Sequence, residues 1–148
     1  MTWYKQYNIE KKASTMFTST GIIKVGPTAK SIKTDSSGWV VIKADNELTR
    51  YYIEQFNFAN RAKDIQLMFP AWGGHISIVR GEDIKDRNYL SSLNNKKISF
   101  SYDPEVKGNG NHFWLKVECP EAENIREKLG LERKPRFDFH LTIGVKKG

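Results

Sequence analysis

Residues 73–82 read GGHISIVRGE, and residues 137–145 read FDFHLTIGV. In an extended strand, residues i and i+2 project from the same face. His75 and Ser77 therefore share one face while Ile76 and Ile78 share the other. His140 and Thr142 repeat the arrangement, backed by Leu141 and Ile143. Each stretch predicts a strand that buries an aliphatic back and presents an imidazole and a hydroxyl at its front. Side by side, two such strands would form a cluster of two imidazoles and two hydroxyls. The chain has three histidines, and two of them fall in this pattern. His112, in NGNHFW, lacks it and reads as a surface or packing residue near a turn, with substrate contact as the alternative.

Working outward, GIIKVG (21–26) reads as a short strand, and SSGWVVIKA (36–44) as a turn followed by a buried strand. DNELTRYYIEQFNFAN (45–60) has helical apolar spacing, with Asp45 placed to cap it. The polar segment 83–96 reads as loop or short helix. KISFSY (97–102) and HFWLKVEC (112–119) both alternate, and the turn-rich DPEVKGNGN between them suggests a hairpin with a long loop. PEAENIREKLGL (120–131) reads as a second helix, with Pro120 at its first position and Gly130 at its end. RFDFHLTIGV (136–145) returns as a strand. The chain thus divides into two loosely similar halves, each a strand, a helix and a strand carrying His-x-Ser/Thr. Mixed connections of this kind predict an α+β fold.

At 148 residues the chain is long enough for one domain with a real core, so residues 1–148 are read as a single domain. No apolar run is long enough to span a bilayer, and the N-terminus lacks the apolar core of a signal peptide. Cys119 is the sole cysteine, which excludes an intrachain disulfide and points to a reducing, cytoplasmic setting. The histidines and the single cysteine are too scattered for a structural zinc site, and no metal or other cofactor is expected. The net charge of +7 and a pI near 9.5 favour a polyanionic partner, with nucleotides the obvious class.

The duplicated motif suits phosphodiester cleavage. That chemistry needs a base to deprotonate a nucleophile and an acid to protonate the leaving oxygen. Histidine serves both roles near neutral pH. Hydroxyls can donate to the nonbridging phosphate oxygens as charge develops there. The catalytic candidates are therefore His75, Ser77, His140 and Thr142. Trp72, Tyr102 and Trp114 are candidate stacking partners for a base, with Tyr102 favoured because it ends a strand before a polar turn. Lys97 and Lys116 are candidates for attracting phosphate. Arg80 and Glu82 would face away from Ser77 in an unbroken strand and read as a structural ion pair at its end, unless a bulge at Gly81 intervenes.

The two motifs HISI and HLTI resemble the H-h-[ST]-h signature of the 2H phosphoesterase superfamily. That resemblance implies a bilobal fold, with two pseudo-symmetric lobes of antiparallel sheet, outer helices and a central cleft. It also implies metal-independent phosphodiesterase chemistry, with one motif from each lobe. More narrowly, FPAWGGHISIVRGE, the helix starting DNELTRYY and the ending REKLGL…FHLTIG resemble the phage anti-CBASS nucleases, which degrade cyclic di- and trinucleotide signals of bacterial immunity. The similarity spans roughly residues 36–145. It implies a cyclic oligonucleotide or RNA phosphodiester substrate and, for a phage-encoded chain, action in the host cytoplasm. Two other readings stand beside it: an RNA-end 2′,3′-cyclic phosphodiesterase and a non-catalytic nucleotide-binding sponge. The sequence departs from the common pattern in having serine in the first motif, which keeps the hydroxyl and loses a methyl group.

Overall fold

The computed structural model describes residues 16–26, 38–63, 65–70 and 73–147. In chain order the elements are β1 (Phe17–Val25), β2 (Trp39–Ala44), α1 (Asn46–Ala59), β3 (Leu67–Met68), β4 (His75–Arg80) and α2 (Arg87–Leu93). They continue with β5 (Lys97–Tyr102), β6 (Lys107–Gly108), β7 (His112–Glu118), α3 (Pro120–Lys128) and β8 (His140–Lys146). The class is α+β. The strands pair antiparallel in the order β3-β8-β4-β2-β1-β5-β7-β6, and β7 also pairs with β8. Six strands thereby close on themselves, with the short β3 and β6 outside the ring.

The helices start and stop where their sequences direct. Asp45 accepts from the backbone N–H of Glu47 at 2.9 Å and opens α1. Asp86 does the same for α2 through the N–H of Tyr89 at 3.0 Å, so the polar segment resolves into a short helix. Pro120 begins α3, and Gly130 follows its end at φ +84°. No helix among the described residues is long and apolar enough to cross a membrane.

The two half-units are β2–α1–β4 and β7–α3–β8. Their helices are exchanged: α1 packs against β8, while α3 packs against β4. The strand backs and the helices share one core, which includes Ile42, Ile76, Leu141 and Ile143 from the strands and Tyr52, Ile53, Ala122 and Ile125 from the helices. The hairpin expected from β5 and β7 is reduced to two pairs, Ser101↔Glu118 and Tyr102↔Val117, which join the end of β5 to the far end of β7. Along its other edge β5 pairs with β1 at all six of its positions, and His112–Lys116 of β7 pair with β8. β1 runs longer than its apolar GIIKVG segment because Phe17–Thr20 extends the ladder to Tyr102. β8 starts later than expected, at His140; residues 136–139 instead form a loop beside the cleft.

Candidate active site

The fronts of β4, β7 and β8 open onto a cleft of about 1270 Å³ lined by His75, Ser77, His140 and Thr142. The β4–β8 ladder sets His75 directly opposite Thr142 and Ile76 opposite Leu141. Continuing that register places Ser77 beside His140. The two imidazoles are then diagonal neighbours, whose backbones in such a ladder lie about 7–8 Å apart. Each hydroxyl stands across from the other strand's histidine.

Both rings are oriented in the same way. His75 Nδ1 lies 2.9 Å from the carbonyl oxygen of Gly73, and His140 Nδ1 lies 2.9 Å from that of Asp138. In each motif the carbonyl two residues upstream accepts from the Nδ1–H, which leaves Nε2 as the lone-pair nitrogen. The Gly73–Gly74 pair makes this possible for His75. Gly73 has φ +71°, and a Cβ on Gly74 would collide with Thr49 of α1. Burial pushes the pKa of both histidines below its ordinary value, and the Arg80 guanidinium lowers both further; the carbonyl bonds act in the opposite direction.

Arg80 corrects the sequence reading. Val40 pairs with Val79 but Val41 pairs with Ser77, so Ile78 is the extra residue of a bulge in β4. The bulge lies three residues before Gly81 and shifts Arg80 to the front face. Its Nη2 sits 3.3 Å from Nε2 of His140 and can donate to it. Arg80 does not form the expected side-chain pair with Glu82. That carboxylate is held instead by Arg126 of α3, at 2.8 Å to each oxygen. The same irregularity recurs in β8. Phe113 pairs with Gly144 and Trp114 with Thr142, leaving Ile143 as the extra residue. The next front-face residue there is Val145, five positions after His140 as Arg80 is after His75. The apolar pairs Ile78-Val79 and Ile143-Gly144 interrupt the alternation of both strands. They were the sequence signal for these bulges.

The other candidates separate clearly. Trp114 lines the cleft, its ring centroid 5.8 Å from that of His140. Tyr102 is instead a core residue, 7% exposed and packed against the rings of Phe17, Tyr52 and Phe100. A strand end before a polar turn resembles a cleft edge in sequence, but this ring points to the buried face. Trp72 lies outside the described residues. Lys116 and His112 line the cleft, whereas Lys97 does not. Residues the sequence did not single out complete the walls: Trp39, Phe69, Lys107, Arg136 and Phe137. Phe137 is 58% exposed and has the guanidinium groups of Arg80 and Arg136 beside its ring, at 5.7 and 5.5 Å from its centroid. Asp138 is the single acidic residue among the described lining.

A strand pair that points two anchored imidazoles and two hydroxyls into one cationic cleft is an arrangement for handling a phosphodiester. Comparison with known families agrees: residues 40–148 match the Swiss Army Knife 2H phosphoesterase domain. The chain belongs to the 2H phosphoesterase family. It is therefore a hydrolase of the phosphodiesterase type, and the two H-h-[ST]-h motifs lie within the matched region. No curated protein and no solved structure matches the chain.

Proposed function

We propose that this 2H phosphoesterase cleaves 3′,5′ linkages of cyclic di- or trinucleotide immune signals, acting as a phage counter-defence protein. The observation that carries the chemistry is the cross-strand placement of both motifs, with each Nδ1 anchored on a carbonyl and each Nε2 left as the proton-handling nitrogen. A ribose 2′-OH attacks phosphorus as one Nε2 takes its proton. The P–O5′ bond breaks as the other imidazolium gives a proton to O5′. The products are a 2′,3′-cyclic phosphate and a 5′-OH. Ser77, Thr142 and Arg80 donate to the nonbridging oxygens, where charge accumulates in the transition state. Every step uses side chains alone, so the mechanism is metal-independent.

The size and walls of the cleft support an oligonucleotide over a mononucleotide. Its volume of about 1270 Å³ exceeds the roughly 300–1,000 Å³ usual for a small-molecule site. Trp114 and Phe137 offer ring faces for bases, and four Lys or Arg side chains line the walls for phosphates. The counter-defence role rests on the resemblance of the segments around both motifs to the anti-CBASS nucleases.

Incubation with a panel of cyclic di- and trinucleotides, linear RNA and RNA ends bearing 2′,3′-cyclic phosphate, read by mass, tests the assignment. Preferential opening of a cyclic oligonucleotide supports it. Preferential hydrolysis of the RNA ends would move the protein to RNA-end processing, and tight binding without turnover would make it a sponge.

A further inference from the structure

Arg126 projects from α3 toward the back of β4, away from the cleft lining, and is 2% exposed. A buried guanidinium is costly unless its donors are matched. Here they are used four times: Nε donates to the carbonyl of Glu132 at 2.7 Å, Nη1 to the carbonyl of Ile78 and to Glu82 at 2.8 Å each, and Nη2 to the second Glu82 oxygen at 2.8 Å. Ile78 is the bulge residue, whose backbone falls outside the regular ladder. The Glu82 carboxylate also accepts from the backbone N–H of Arg80 at 3.3 Å. Arg126 thus holds the backbone on both sides of Val79, directly at Ile78 and through Glu82 at Arg80. Gly81, at φ +72°, lets the chain turn so that Glu82 faces the helix while Arg80 faces the cleft.

We propose that Arg126, with Glu82, is a positioning residue for the cleft: it fixes the β4 bulge that delivers Arg80 to Nε2 of His140. An apolar residue at position 126 could fill the space but could not bond the Ile78 carbonyl or the carboxylate. An in-register β4 would turn position 80 to the back face. The matching bulge in β8 presents Val145, so this device supplies a cation to one half of the site only.

This inference takes the cleft as the phosphodiesterase site, but its main readout needs no turnover. The charge-preserving variants Arg126→Lys and Glu82→Asp break the clamp geometry without changing net charge. The groups facing His140 are Arg80 and His75 from β4, Lys116 from β7 and Asp138 from its own approach loop. Of these, Arg80 alone is released by the variants. NMR titration of the imidazole should show the His140 midpoint rising in Glu82→Asp and Arg126→Lys toward its value in Arg80→Met. With Arg80→Met already present, neither variant should move it further. On a cleaved substrate, kcat/KM should fall about 10–100-fold in the clamp variants and little further in the double variants. A folded variant in which His140 titrates as in the parent overturns the proposal, as do losses that multiply with Arg80→Met. Should Arg126→Lys not fold, Glu82→Asp decides alone. A parent protein that cleaves no cyclic nucleotide would refute the substrate assignment and leave the titration to decide the clamp.

Discussion

His75 stands directly across the β4–β8 ladder from Thr142. The two motifs are therefore interleaved, and each hydroxyl serves the space in front of the other strand's imidazole. Removal of any one group should be felt by the whole site.

Replacing His75 or His140 with alanine is expected to lower turnover about 10²–10⁴-fold, the range for loss of a general acid or base. Ser77→Ala and Thr142→Ala should each lose about 10–10³-fold, since each removes one donor to the phosphate. Steady-state kinetics on variants with parent-like thermal unfolding is the check. Near-parent rates in either histidine variant would end the catalytic assignment.

The pH dependence has a defined sign. One imidazole must be neutral and the other protonated, so kcat/KM should be bell-shaped. Burial and Arg80 lower both pKa values from their ordinary 6.5, which places the optimum below about pH 6.5. Arg80→Met removes a cation that lowers both, so its bell should shift toward higher pH. A parent optimum well above neutrality would contradict the burial of the two rings.

Stability should depend on the same groups. A histidine whose folded pKa is depressed binds fewer protons folded than unfolded once the pH falls below the unfolded value. The parent should hold its stability above about pH 6.5 and lose it as the pH falls through the folded values. The double variant His75→Asn/His140→Asn should show a flatter profile below about pH 6.5, measured by urea unfolding. Parallel profiles would mean that the rings protonate without penalty.

Activity is expected to survive excess EDTA. Among the described residues no three His, Cys, Asp or Glu side chains converge to hold an ion. The proposed steps also assign both cleft-lining imidazoles of the motifs to proton transfer. Inhibition by chelation with recovery on adding a divalent metal would refute this chemistry.

A 2′-deoxy or 2′-O-methyl analogue should bind and resist cleavage, because the attacking oxygen and the phosphorus must be preorganised on one ribose. Product analysis on the ribo substrate should find a 2′,3′-cyclic phosphate. Comparable cleavage of the deoxy analogue would make water or a side chain the nucleophile.

Much of the architecture was written in local patterns. The alternation in HISI and HLTI fixed which residues share a face. Asp45, Pro120 and Gly130 marked helix ends because capping involves groups only a few positions apart. That His75, Ser77, His140 and Thr142 would share a face was legible for the same reason, since it depends on a spacing of two along one strand; all four line the cleft. The doublets Ile78-Val79 and Ile143-Gly144 carried the bulges too, although alternation taken as unbroken put Arg80 on the wrong face.

Tertiary structure alone decided which strands became neighbours, and so what each side chain met. Tyr102 and Trp114 are both strand aromatics near polar turns, yet one packs against Tyr52 and the other lines the cleft. Glu82 found Arg126, forty-four residues away in sequence, in place of nearby Arg80. Phe137 and Arg136 reached the cleft from a loop with no periodicity to betray it. Periodicity and capping are short-range and can be read from a segment by itself. Strand order, ring closure and buried ion pairing depend on contacts between distant segments, whose register is set by how the whole core packs.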